Sequence, residues 1–200
     1  MNKNFLLLIR GKPASGKSTV IRYIKDLEFR LLDPDLIKNN KEYKKFSPRM
    51  TKNPTENIKR YCYLYNKAEK FLLDNQNVIW VQPWSRMAEI ELTIRNFGYY
   101  LLDLKEKSWT ESLDEIIKKL PFIFLIAEID TDNEKCFQRF YKRFRRLNKI
   151  KNLEEERLKK TSILFQKLTI NIISIILDGN VIPKENATRL VAFIKNSLID

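Results

Sequence analysis

The sequence predicts an α/β fold, with a mostly parallel β-sheet and helices on both of its faces. Three observations carry this expectation. Short apolar runs alternate along the 200 residues with longer amphipathic stretches, the order expected of strand–helix repeats. The apolar runs lack an in–out alternation: "FIFLIAEI" (122–129) is continuous, as in a central parallel strand covered on both sides. Prolines and an Asp-Gly pair fall at the joints between these segments. No repeat, linker or low-complexity tract interrupts the pattern, so one domain over 1–200 is the simplest organisation.

Taken in order, "NFLLLIR" (4–10) reads as a buried first strand and 17–27 as the helix after it. "FRLLD" (29–33) reads as a second strand, ended by Pro34, and the basic, proline-containing stretch 41–54 as a loop. "NPTE" (53–56) is a helix start, with Asn53 as cap, Pro54 in the first position and Glu56 completing a capping box. Tyr61, Leu64, Ala68 and Phe71 follow at helical spacing. "NVIWVQ" (77–82) is a third strand stopped by Pro83. Helices are expected over 86–97, broken by Gly98, and over 110–119. After the strand at 122–129 come a helix over 133–147 and another beginning at 152–155. "NIISIIL" (171–177) is the last strand, Asp178-Gly179 a turn, and Pro183 the start of a terminal helix with Ala187, Val191, Ile194 and Leu198 on one face.

Composition narrows the chemistry. The chain has no histidine, which excludes a Ser-His triad, a histidine base and histidine metal ligands; acid–base work falls to carboxylates, Lys, Tyr or Cys. Two cysteines, Cys62 and Cys136, have neither metal-site spacing nor the density of a disulfide framework, which points to a reducing, cytoplasmic setting. No signal-peptide pattern and no apolar stretch long enough to span a bilayer is visible, so no membrane partner is expected. The net charge of +13 attracts nucleotides and polyanions, although abundant Lys, Asn and Ile together are also what A/T-rich coding produces.

The chain has four glycines, and two of them lie in "GKPASGKST" (11–19), directly after the first strand and opening the first helix. The segment matches G-x-x-x-x-G-K-[ST] in full, in the context that the motif requires. Gly11 and Gly16 permit backbone conformations that a side chain would block, so that loop N–H groups converge on phosphate oxygens at a helix N-terminus. Lys17 supplies a charge for the β- and γ-phosphates, and Ser18 a hydroxyl for Mg²⁺. Gly11, Lys12, Pro13, Ala14, Ser15, Gly16, Lys17, Ser18 and Thr19 are therefore the expected nucleotide-binding segment. The guanine-reading signal of GTPases is missing, since "NKAE" (66–69) has Glu at the reading position.

A compact chain with this loop at its N-terminus looks like the P-loop kinases. "LLDPD" (31–35) at the end of the second strand resembles the zeta-toxin, polynucleotide-kinase and chloramphenicol-phosphotransferase group, P-loop NTPases of the AAA_33 type. The resemblance implies a three-layer αβα fold with a five-stranded parallel sheet in the order 2-3-1-4-5. It also implies ATP and Mg²⁺ as cofactors, and an Asp acting as general base on the acceptor hydroxyl. Asp35 is the matching residue, and it is expected to be catalytic and, with Ser18, linked to the metal. Read from the residues alone, Asp33 is a helix cap with Pro34 in the first helical position, which leaves Asp35 beyond the carboxyl end of the strand, where α/β sites lie. Many members of the group that the chain resembles carry an acid after the third strand where "VQPWSR" has Gln82, which leaves the metal to Ser18, phosphates and water, with Asp33 or Asp35 nearby. Gln82, Trp84 and Arg86 are candidates for the acceptor site, Trp84 alternatively for packing beneath a loop.

On a helix over 133–147, Cys136, Phe137, Phe140 and Phe144 form one stripe, and Arg139, Lys142, Arg143 and Arg146 the opposite face. That face is either a solvated basic surface or, by resemblance, part of the kinase LID (about 139–151). In the LID reading Arg139 and Arg143 are catalytic, and Arg143 and Arg146 hold the nucleotide. The resemblance implies transfer of the ATP γ-phosphoryl to a hydroxyl of a small molecule, nucleotide or sugar nucleotide. A 5′-hydroxyl polynucleotide acceptor is the alternative, less favoured because the lysines are scattered. A nucleotide-binding switch protein with little transfer activity is the second alternative. The resemblance also leaves room for an antitoxin-type protein partner.

Overall fold

The computed structural model describes residues 3–48, 55–147 and 151–199, with the backbone alone at 144–147, 151–154, 157 and 158. In chain order the elements are β1 (Phe5–Arg10), α1 (Lys17–Arg22), β2 (Arg30–Leu32), α2 (Lys41–Lys45), α3 (Glu56–Leu73) and β3 (Val78–Val81). They continue with α4 (Met87–Leu101), α5 (Lys107–Thr110), α6 (Leu113–Lys119), β4 (Ile123–Asp130), α7 (Asn133–Leu147), α8 (Lys151–Leu164), β5 (Ser174–Asp178) and α9 (Pro183–Ser197). All four strand pairings are parallel and the sheet order is β2-β3-β1-β4-β5, as expected from the resemblance.

Two cores explain why the central strands show no polar face. Along β1, Leu6 and Leu8 point to one side and Phe5, Leu7 and Ile9 to the other, as the pleat dictates. The first side packs with Leu64 and Ala68 of α3, Trp80 of β3, Ile90, Ile94 and Phe97 of α4, and Ile116 of α6. The second packs with Val20 and Ile21 of α1 and with Ala187, Leu190 and Ile194 of α9. A strand that must bury both faces has nowhere to place a polar residue except at its ends. Those ends, at the carboxyl edge of the sheet, carry Arg10, Gln82 and Asp130.

Several boundaries depart from expectation. Helix α1 closes at Arg22, with Tyr23 as its C-cap, well short of residue 27. The basic stretch 41–54 is not all loop: α2 forms in it, its first amides held by the Asn40 side chain. The cap of α3 is Thr55, whose side chain accepts from the Ile58 N–H; Asn53 and Pro54 lie outside the described residues. Gly98 does not break its helix. It lies buried inside α4, where a Cβ would stand 3.0 Å from Ile116 Cγ2, so it serves the close approach of α6. Helix α6 starts at Leu113, behind a capping box of Ser112 and Glu115. No turn-forming helix follows Asp33-Pro34; the chain makes turns there until α2. Among the described residues no helix is long and apolar enough to cross a membrane.

Candidate active site

The loop between β1 and α1 has the backbone that its glycines permit. Gly11 has φ +150° and Gly16 φ +108°. A Cβ on Gly11 would come within 2.7 Å of the Ile129 carbonyl oxygen. Gly16 is the N-cap of α1 and makes no side-chain cap bond, so the first amides of α1 have no partner within the helix and open towards the loop. Side chains tie up the loop's carbonyls instead. Lys17 Nζ donates to Gly11 O (2.7 Å) and Lys12 O (2.9 Å). Thr131 Oγ1 donates to Ser15 O (3.0 Å), and Arg139 Nη1 donates to the same oxygen (3.0 Å). Lys12 Nζ donates to Thr131 O (3.2 Å). With its carbonyls occupied by side chains and the amides of Lys17 and Ser18 at the start of α1 without helical partners, the loop suits an anion.

Lys17 is buried, and burial pushes its pKa down to about 8, although the charges of Asp33 and Asp35 oppose the fall. Arg143 on α7 adds to the fall, so its charge reaches the loop; its side chain is exposed. Arg139 sits one helical turn earlier and is engaged at both amino groups, the second on Gly179 O (2.8 Å). The backbone of Arg146 continues α7, and its side chain lies outside the described residues.

Asp33 and Asp35 take different positions. Ser18 Oγ donates to Asp33 Oδ2 (3.3 Å), while Asp33 Oδ1 accepts from the Asp35 N–H (2.8 Å). Asp33 thus turns the chain and also faces the P-loop hydroxyl. The Asp35 side chain is 75 % exposed and pairs with Lys38 at 3.4 Å. Of the two aspartates expected near the metal, the one brought to Ser18 is therefore Asp33, and not Asp35, which the sequence reading had paired with Ser18. The turn that follows β2, closed by the bond from the Asp35 N–H to Asp33 Oδ1, decides this, and the spacing of the two residues does not show it. Among the described residues no group of three Cys, Asp or Glu side chains could hold a metal by itself. The pair that fits Mg²⁺ is Ser18 with Asp33, a hard cation taking oxygen ligands that include substrate phosphates and water.

Trp84 does not offer its ring to an acceptor. It is fully buried at φ +46° and meets Trp80 edge-on at 5.0 Å between centroids. Gln82 is half-buried, with its N–H on Ile9 O (3.3 Å), and Arg86 is exposed ahead of α4. The sequence reading missed Thr131 and the role of Arg10. Thr131 bears no signal beyond its place after β4. Arg10 does bear one, as a charged residue that ends an apolar strand immediately before the motif.

Sheet order, loop position and the arginine-bearing helix after β4 define the P-loop kinase fold. The sequence profile of the AAA_33 family, described as an AAA domain, matches residues 6–168, and the chain belongs to that family. Among solved structures it is similar to a sugar kinase from Janibacter sp. HTCC2649, at 14% identity and a TM-score of 0.56, covering 96% of this chain and 95% of that one. It is similar to the APS kinase of Mycobacterium tuberculosis solved with AMPPNP and APS, at 14% identity and a TM-score of 0.55, covering 98% and 99%. It is also similar to a gluconokinase from Sinorhizobium meliloti 1021, at 11% identity and a TM-score of 0.56, covering 98% and 94%. At such identities the likeness is one of fold. No curated protein matches the sequence.

Proposed function

We propose that the chain is an ATP-dependent kinase that transfers the γ-phosphoryl group to a hydroxyl of a small molecule, nucleotide or sugar nucleotide, in the manner of the zeta-toxin group. The observation that carries this is the pairing of Ser18 with Asp33 beside Lys17, on a P-loop whose carbonyls are held by side chains. Lys17 would leave Gly11 O and Lys12 O for the β- and γ-phosphates. Ser18 and Asp33 would hold Mg²⁺, which supplies charge neutralisation on the phosphates.

Asp35 is then the base. Asp33 is committed to Ser18 and to the Asp35 N–H, whereas Asp35 is exposed at the carboxyl edge of the sheet and, among the described residues, held only by a surface pair with Lys38. Asp35 takes the acceptor's proton as the new O–P bond forms and the bond from the γ-phosphorus to the bridging oxygen breaks, releasing ADP. Arg143, whose charge reaches the P-loop lysine, would steady the transferring group, and by the resemblance Arg146 would join it. Arg139, bonded to Ser15 O and Gly179 O, holds the loop in register.

The test is a screen for acceptor-dependent ADP formation over nucleosides, sugar nucleotides, antibiotics and 5′-hydroxyl oligonucleotides. At least one class should raise ADP formation above the leak to water, and Lys17→Ala should abolish the rise. If no class does so, the nucleotide-binding switch becomes the better reading. The exposed lysines Lys38, Lys41, Lys44 and Lys45 favour a polynucleotide as second reading. Micromolar binding of a 5′-hydroxyl oligonucleotide, with a steep salt slope that flattens in Arg143→Ala/Arg146→Ala, would promote it.

A further inference from the structure

Arg10 ends β1, directly before the P-loop, and its side chain is fully buried. A buried guanidinium is costly unless its donors are met, and an apolar residue of similar length costs less. Its partners come from three separate parts of the chain. Nε lies 3.5 Å from Glu128 Oε2 on β4 but makes no hydrogen bond. Nη1 is 3.6 Å from Met87 Sδ at the start of α4. Nη2 donates to Gln166 O, and the guanidinium carbon stands 4.4 Å from the centroid of the Phe165 ring.

Gln166 is bonded on the other side as well. Its N–H donates to Ser85 O (2.8 Å), and its Oε1 accepts from the Met87 N–H (2.7 Å). Phe165 and Gln166 are the first residues after α8, where the helical arm α7–α8 returns to the body. Ile163 and Leu164, just before them, are 82 % and 43 % exposed, so apolar burial does little to hold the arm at that point. At its root the same arm is bonded to the P-loop through Arg139 and Ser15 O. The arm is thus tied at one end to the nucleotide loop and at the other to residues 85–87, which follow the carboxyl end of β3, where an acceptor arrives in an open α/β sheet.

We propose that Arg10 and Gln166 are positioning residues that join the exit of the α7–α8 arm to the loop 85–87, so that nucleotide binding at the arm's root reorders the acceptor side of the site. The proposal rests on nucleotide binding at the P-loop. The bond from the Met87 N–H to Gln166 Oε1 carries the linkage, and the backbone bonds of Gln166 to Ser85 and Arg10 seat it there. Arg10 fixes Gln166 over the end of the P-loop strand, which a residue placed for packing alone would not require.

The experiment is amide hydrogen exchange on the full chain, with and without saturating Mg·AMPPNP, together with calorimetric titration of the same nucleotide. In the wild type, AMPPNP should slow exchange at residues 85–90 by about fivefold, the scale of one hydrogen bond, in addition to its effect on the P-loop. Gln166→Ala and Arg10→Met should keep the P-loop response and lose the response at 85–90, with AMPPNP affinity in Gln166→Ala within about twofold of wild type. A purely structural role would raise exchange at 85–90 equally with and without nucleotide, and that outcome overturns the proposal. So does a wild type that binds AMPPNP without any response at 85–90. A wild type that fails to bind AMPPNP in the titration overturns the nucleotide reading and this proposal with it. If Arg10→Met does not fold, Gln166→Ala, which keeps its backbone bonds, decides.

Discussion

Nucleotide binding should take up a proton at alkaline pH, and the proton should go to Lys17. The ammonium is buried against two carbonyl oxygens, and its pKa is pushed down to about 8 from 10.5 by that burial. At pH 8.5 about three quarters of the molecules then carry a neutral Lys17, against about one tenth at pH 7. The terminal phosphate, with a second pKa of about 6, is ionised throughout this range and restores the charged lysine as it binds. The uptake should therefore be about 0.7 proton at pH 8.5 and about 0.1 at pH 7. Titration of Mg·ATP in buffers of different ionisation enthalpy measures it directly. Lys17→Met should show no uptake at either pH. The same lysine links stability to pH. Between pH 8 and 10.5 the unfolded chain binds more protons at this residue than the folded chain, so stability rises with pH across that window. At about 1.4 kcal/mol per pH unit, wild type should gain at most about 3 kcal/mol over Lys17→Met, read from urea unfolding at each pH. Equal uptake at both pH values, or uptake that survives in Lys17→Met, would refute the reasoning.

Asp35→Asn should lower transfer by about 10²–10⁴-fold with ATP binding intact, whereas Asp33→Asn should raise the Mg²⁺ concentration needed for half-maximal rate. Steady-state rates over a Mg²⁺ series distinguish the two, and the reverse pattern would exchange their roles. Gly179→Ala should destabilise the fold by more than about 2 kcal/mol in urea unfolding, because a Cβ there would lie 1.7 Å from Thr131 Oγ1 and 2.8 Å from Asp130 O. Trp84→Ala should cost about 3–5 kcal/mol of stability; a raised acceptor KM at unchanged stability would instead return Trp84 to the acceptor site.

Much of the fold could be read locally. The apolar runs at 4–10, 77–82 and 122–129 became β1, β3 and β4, because a strand covered on both faces must be apolar at consecutive positions. The phosphate loop was legible for a related reason. One anion has to be met by the amides of one turn, so the residues that make the turn are contiguous, and Gly11, Gly16, Lys17 and Ser18 stand in a fixed spacing. Gly98 marks where such reading ends: a helix breaker by propensity, it is kept within α4 by the approach of Ile116 from α6.

The rest of the site depends on directions that spacing does not encode. Asp33 and Asp35 are equivalent in the string, and only the turn that follows β2 brings one to Ser18 and the other to solvent. Arg139 and Arg143 share a helical face, yet the nearness of Ser15 O and Gly179 O engages one and leaves the other exposed. Trp84 is surrounded by polar letters, and packing on Trp80 decides that it is core. Arg10 and Gln166 are 156 residues apart, and the sheet edge and the returning arm place one against the other. Contiguous backbone chemistry leaves its mark in sequence; contacts between side chains from distant elements exist only once the two cores have set those elements in place.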